Sequence, residues 1–282
     1  MRCSALAESL EEPLFGTVEQ RTRWLLLEDR SAWGTDAVKD VFGADEAARA
    51  KQLALRVLLV RRREGDPAAD TVRRAMLIDT ASREMAVRVV DGPSDLAIEA
   101  AAGEPVAAFG APMTEPIFLV CTNGKRDACC ALRGRALMTA LSVAHAESVW
   151  ECTHLGGHRF AGNLACLPDG IVYGRVSGAD GPRLVEAYLD GRVDASLLRG
   201  RSAWPAPAQV AEVVLRARLG LDGLGDVSLV DAVVSGEAAE VALATVDGQT
   251  HRFELRAERA APPRPTSCRA DDLGEPLHWS VV

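Results

Sequence analysis

The chain has 282 residues, 48% of them apolar and 26% charged, with a formal net charge of −8. At this length the composition suits two compact globular units with an appendage. The acidic balance argues against nucleic-acid binding and against an anionic membrane surface, and no apolar run reaches the roughly eighteen residues of a membrane span.

The opening residues turn acidic at Glu8, Glu11 and Glu12 before a secretory apolar core forms, so no signal peptide and a cytoplasmic, reducing location are expected. Seven cysteines in such a location do not read as a disulfide framework. Residues 24–28 predict a buried strand, and Thr35 and Asp36, both good N-cap types, predict a helix after a polar loop. Residues 45–55 predict a second helix, and 57–60, 75–78 and 85–90 predict three strands. Gly and Pro between 103 and 112 mark a boundary between units.

The second unit predicts a strand at 116–121, a helix over 127–144, strands at 148–152, 163–167 and 171–176, and a helix over 182–189. That order places helices against a mixed sheet, an α/β arrangement. Both units open with an apolar strand, a polar loop and an Asp-initiated helix, which raises an internal duplication with only the second copy armed. Beyond Arg199 come a linker at 204–207, a helix over 209–219, and strands at 227–234, 241–246 and 251–255. Asp247-Gly-Gln marks the last two strands as a hairpin, and an extended tail carries His278 and Trp279. The domain reading is therefore an α/β unit without metal ligands over 1–110, a second α/β unit over 111–200, and a small α+β extension over 201–282. Nothing in the extension carries evident chemistry.

Chemistry concentrates in two motifs. One is Cys121-Thr-Asn-Gly-Lys-Arg-Asp-Ala-Cys129-Cys130, and the other runs from Trp150 through His154, Gly156, Gly157 and His158 to Asn163. Thiolates with imidazoles suit zinc or an iron–sulfur cluster, not magnesium or calcium. Cys121 ends a strand and Cys130 lies in the first turn of the following helix, where exposed N–H groups favour thiolate over thiol. Gly156-Gly157 disfavours a helix between the histidines and predicts a tight loop bending both rings toward one point. Cys3, Cys166 and Cys268 read as buried hydrophobes.

A structural zinc module is one alternative, although eight residues between Cys121 and Cys130 exceed the usual knuckle. A thiol oxidoreductase using Cys129 or Cys130 is another, although it lacks Cys-x-x-Cys. Asp127 reads as an N-cap and Arg133 and Arg135 as ordinary helix-face charges. Arg126 and Arg159 abut candidate ligands and read as tuning charges or as part of a docking patch for an acidic redox partner.

In these motifs the chain resembles the sucrase/ferredoxin-like family. Cys121, Thr122, Asn123, Gly124, Arg126, Asp127 and Cys130 match its first motif, residues 150–163 its second, and Pro168-Asp-Gly-Ile-Val-Tyr-Gly-Arg-Val176 also fits. The likeness is strongest over residues 115–177, weaker over the amino-terminal half, and does not extend to the carboxy-terminal segment. It implies a thioredoxin-like mixed sheet flanked by helices and a [2Fe–2S] cluster on Cys121, Cys130, His154 and His158, with Arg126, Gly156, Gly157, Arg159 and Asn163 around them. Cys129 stands where the family pattern has another residue, so a swap with Cys130 is an open alternative, as is Cys152. The implied function is one-electron transfer to a partner protein, with proton coupling at the imidazoles. Two neutral imidazoles in place of thiolates raise the potential, about −150 to +300 mV in Rieske centres against about −400 mV in plant-type ferredoxins. No carboxylate pair supports sucrase or glycosidase activity.

Overall fold

The computed structural model describes residues 2–62 and 73–282. After a short helix, α1 (Cys3–Ser9), the chain enters β1 (Arg23–Glu28), whose side chains alternate between two cores. Leu25 and Leu27 face one core, Trp24 and Leu26 the other, and none is more than 1% exposed. A strand covered on both faces reads as an unbroken apolar run, which is why residues 24–27 show no polar alternation. Each buried leucine contributes about 1.5–3 kcal/mol by leaving water.

The first unit continues through α2 (Ala37–Phe42), α3 (Ala44–Gln52), β2 (Arg56–Arg61), β3 (Arg73–Asp79), β4 (Glu84–Val90) and α4 (Ile98–Gly103). Ala37, Ala50, Ile98 and Ala101 bring these helices onto Leu25 and Leu27. The expected boundary at 103–112 is structured: α5 (Val106–Phe109) follows, and β5 (Ala111–Pro112) pairs with β4. The second unit comprises β6 (Ile117–Cys121), α6 (Ala128–Ala144), β7 (Val149–Cys152), β8 (Leu164–Leu167), β9 (Ile171–Tyr173) and α7 (Asp180–Leu189).

Both units share one connectivity. In the first, β1 runs parallel to β2 and antiparallel to β3, which pairs with β4, giving the order β2-β1-β3-β4. In the second, β6 runs parallel to β7 and antiparallel to β8, which pairs with β9, giving β7-β6-β8-β9. This is the expected mixed α/β sheet, present twice, so the duplication raised by the matching openings is real at the level of topology. Antiparallel pairing of β2 with β7, through Val60–Cys152 and Arg61–Glu151, fuses the copies into one ten-stranded sheet. β10 (Leu198–Arg201) adds the strand beyond β9. Where β6 ends on Cys121, β1 ends on Glu28, paired with Arg30 at 3.1 Å and Arg74 at 3.5 Å.

The remaining chain forms α8 (Ala206–Leu219) against the antiparallel sheet β11 (Val227–Ser235), β12 (Ala238–Thr245), β13 (Thr250–Arg259) and β14 (Leu277–Val281). Part of the predicted linker is the first turn of α8, because Pro207 sits where its missing N–H costs nothing. Trp279 packs into this unit, and the tail is its fourth strand. The first helix does not stay with the first unit: α1 packs on the turn at 158–160, while Glu19 pairs with Arg56 and Thr22 with Thr80 of that unit. Among the described residues no helix is long and apolar enough to cross a membrane.

Candidate metal centre

β6 delivers Cys121 at its end, in register with Cys152 of the parallel neighbour β7. The carboxylate of Asp127 caps α6 by accepting the Cys129 N–H at 2.8 Å, which sets Cys130 in the first turn. One turn on, Gly134 lets α6 approach the end of β6, since a β-carbon there would fall 2.1 Å from the Cys121 carbonyl oxygen. After β7, Thr153 ties the next loop to the first unit, donating its N–H to Leu59 at 3.1 Å and accepting the Leu59 N–H on Oγ1 at 3.2 Å. Gly156 and Gly157 then adopt left-handed conformations, φ +77° and +68°, which rule out a helix and fold the two imidazoles together. The rings of His154 and His158 stack with centroids 4.4 Å apart.

The four expected ligands come together. Nδ1 of His158 lies 3.3 Å from the Cys130 sulfur, and the Cys121 thiol interacts with Cys130, Cys152 and His154. Nδ1 of His154 is buried and has no hydrogen-bond partner among the described residues. A buried polar atom left unpaired is costly, and a metal ion would satisfy it. The thiol contacts from Cys130 and Cys152 hold Cys121 well below its ordinary pKa, while its contact with Cys121 and its own burial push Cys130 up. Burial, then the neighbouring charge of His154, pushes His158 down to about 4, which leaves it neutral at pH 7, as a ligand must be.

Among the described residues, no three of Cys121, Cys130, His154 and His158 bring their donor atoms within 4.8 Å of one another. A single tetrahedral zinc ion would gather its ligands to about 3.8 Å. Within 4.8 Å, Cys130 and His158 instead close on each other with a carboxylate oxygen of Asp127 as the third donor.

The surroundings of the site differ in part from expectation. Asn163 orders the loop as expected, with Nδ2 donating to the Gly157 carbonyl at 3.1 Å. Arg199, which the sequence did not single out, is 1% exposed and bonds Asn163 Oδ1 at 2.8 Å, the Gly156 carbonyl at 3.1 Å and the Thr17 carbonyl at 2.7 Å. Burial, then the charges of Arg159 and Arg56, lowers its pKa to about 9, and no carboxylate pairs with it among the described residues. Arg159 is held by buried Glu12 at 2.7 Å, and Glu12 also binds Arg264 and His278, each at 3.2 Å. The carboxy-terminal segment therefore does reach the site. Arg133 is not an idle surface charge, since it pairs with Glu8 and donates to the Ala161 carbonyl at 3.2 Å. Cys166 and Cys3 are buried core residues as expected, although Cys3 also meets Cys129, whereas Cys268 is exposed and meets Cys129 from outside. With Cys129 drawn to them, Cys130 is the thiol of the adjacent pair that faces His158.

Two clefts border the imidazoles. One, about 500 Å³, lies between the two units and is lined by Arg56, Asn123, Arg126 and His154 among others. The other, about 600 Å³, exposes the edges of His154 and His158 between Arg126, Arg159 and Arg269, with no carboxylate in its lining.

The model of the sucrase/ferredoxin-like family matches residues 14–200. A protein of Meyerozyma guilliermondii named altered inheritance of mitochondria protein 32 is 29% identical over 87 residues, covering 27% of this chain and 31% of its own length. The protein of that name from Eremothecium gossypii is 32% identical over 107 residues, covering 32% and 34%. The chain thus spans about a third of the length of these curated relatives. No solved structure matches it.

Proposed function

We propose, from the premise that this chain belongs to the sucrase/ferredoxin-like family, that it carries single electrons on a [2Fe–2S] cluster held by Cys121, Cys130, His154 and His158. When bound, the cluster supplies one reversible electron at a potential set by its net charge and the hydrogen bonds around it. The observation that carries this reading is the convergence of two buried thiols with two stacked imidazoles, one of whose Nδ1 atoms is buried and unpartnered.

The chain's own residues do the rest. Asn163 and Arg199 fix the glycine loop, and with it the direction of both rings. The unpaired guanidinium of Arg199 offsets negative charge at the thiolates and favours electron uptake. If the Nδ1 atoms were taken up by a metal, Nε2 would be the ring atom of each imidazole left to hold a proton. Arg126, Arg159 and Arg269 rim the histidine edge and suit an acidic redox partner. We place the protein in a reducing compartment such as the cytoplasm, where its seven cysteines, none in a disulfide, stay as thiols.

The thiol-oxidoreductase reading gains no support, because Cys129 and Cys130 are each 1% exposed and exchange needs an accessible thiolate. Anaerobic purification tests the proposal. The expected product is red-brown, contains about two irons and two sulfides per chain, and gives an EPR signal on one-electron reduction. Stoichiometric zinc at Cys121 with no visible absorption would overturn it.

A further inference from the structure

Beside the histidine loop, three cysteines from distant parts of the chain meet at one point. Cys3 comes from α1, Cys129 from the first turn of α6, and Cys268 from the segment between β13 and β14. Their sulfurs stand 3.6 Å (Cys3–Cys129), 3.3 Å (Cys129–Cys268) and 3.5 Å (Cys268–Cys3) apart. The carboxylate of Asp127 completes the group, with Oδ2 3.8 Å from the Cys3 sulfur, and all four donors lie within 4.8 Å of one another. Four ligands at ~2.3 Å around a tetrahedral zinc ion are themselves about 3.8 Å apart. Sulfurs joined as a disulfide would stand at about 2.05 Å.

Two further observations point to a cation here. Asp127 is fully buried, and among the described residues no arginine or lysine pairs with it. Its oxygens instead accept the N–H of Cys129 at 2.8 Å, the N–H of Cys268 at 2.7 Å and the Ser267 hydroxyl at 2.9 Å. Buried charges are as a rule paired or bound to a metal. In addition, the Ser4 hydroxyl donates to the Cys129 sulfur at 3.2 Å, the kind of outer hydrogen bond that orients a ligating thiolate.

We infer that Cys3, Cys129, Cys268 and Asp127 form a structural zinc site directly beside the histidine-bearing centre, which the Asp127 carboxylate also borders, within 4.8 Å of donor atoms of Cys130 and His158. On binding, the three thiols release their protons to solvent and four anionic donors hold one divalent ion; no electron is transferred. An oxygen donor beside three sulfurs favours zinc over copper(I), which prefers an all-soft set. Four protein ligands leave no open position, the mark of a structural site. The ion fastens α1 and the segment around Cys268 to the start of α6, and Thr266, Ser267, Arg269 and Ala270 of that segment wall the histidine cleft. Its three thiols, Cys3, Cys129 and Cys268, lie outside the Cys121, Cys130, His154 and His158 set.

Elemental analysis of the full chain, purified without chelator, tests this. One zinc per chain is expected in addition to any iron. Cys268→Ser and Cys3→Ser should each lower zinc at least tenfold while iron and the visible spectrum stay as in the parent, so that iron reads the other centre independently. The unmutated protein gives a second measure that does not depend on a variant folding. Cys268 is exposed, and its alkylation, followed by mass spectrometry, should speed up at least tenfold with a zinc chelator and slow again when Zn²⁺ is added back. The assignment falls if the parent takes up no zinc even when incubated with Zn²⁺, if Cys268→Ser keeps a full equivalent, or if Cys268 reacts at one rate with and without chelator.

Discussion

Arg199 lies so close beneath Gly157 that a β-carbon at 157 would fall 2.3 Å from its Nη2 atom. The neighbouring Gly156 has a similar backbone, φ +77°, but open space where its side chain would be. Gly157→Ala should therefore add a clash to the backbone strain that both positions share, and destabilise the fold by about 1–3 kcal/mol more than Gly156→Ala. Denaturant melts together with iron content per chain compare the two. Equal losses would show that Arg199 does not buttress the loop.

The same guanidinium is a buried cation with no carboxylate partner among the described residues. Arg199→Gln keeps hydrogen-bonding capacity but removes the charge, and should lower the reduction potential by on the order of 50 mV, about 1 kcal/mol for one electron. Arg199→Lys should recover part of that drop. Voltammetry on cluster-loaded protein reads the shift, and an unchanged potential would confine Arg199 to positioning.

Adjacent cysteines are expected to behave differently. Cys130, 3.3 Å from His158 Nδ1, should be indispensable, with Cys130→Ser losing iron at least tenfold. Cys129, turned toward Cys3 and Cys268, should be replaceable by serine with the visible spectrum retained. The reverse pattern in paired iron assays would reassign the ligand.

Glu12 makes stability depend on pH. Burial pushes its carboxyl upward, but the His278 hydrogen bond, the charge of Arg159 and the Arg264 contact outweigh that and hold it at about 2. A carboxyl depressed on folding stabilises the native state above its unfolded value, near 4.3, and that contribution fades as pH falls toward 2. Its size is on the order of 3 kcal/mol. Urea melts from pH 6 downward should show the loss in the parent, whereas Glu12→Gln should be weaker at pH 6 and less pH-dependent; parallel curves would contradict this.

On the proposed function, a proton coupled to the electron at the imidazoles should make the reduction potential fall as pH rises, by up to about 59 mV per pH unit for one proton and one electron. Protein-film voltammetry across pH measures it. A flat line would leave electron transfer intact and remove the proton from it.

The sheet was largely legible because strands 24–28 and 117–121 are buried on both faces and read as apolar runs. The Cys and His motifs were legible because local spacing carries them: Asp127 had to cap, and Gly156-Gly157 had to turn. What escaped was joined over long separations. Glu12 meets residues 159, 264 and 278, Cys3 meets 129 and 268, and Arg199 reaches residues 17 and 163. None of these pairings falls within a single local pattern, and a buried arginine looks in sequence like any surface charge. The pairing of β2 with β7 was hidden for the same reason, since two residue pairs hold that seam and neither motif spans it.

Glu12 has a consequence for how the protein comes into being. Two of its three partners, Arg264 and His278, are synthesised more than a hundred residues after the thiols and imidazoles of the two motifs. A nascent chain can therefore lay down the ten-stranded sheet yet still lack one wall of its histidine cleft. That wall, residues 266–270, is made only after the last strand of the sheet, Leu198–Arg201, so the cleft over the imidazoles closes later than the sheet that carries them.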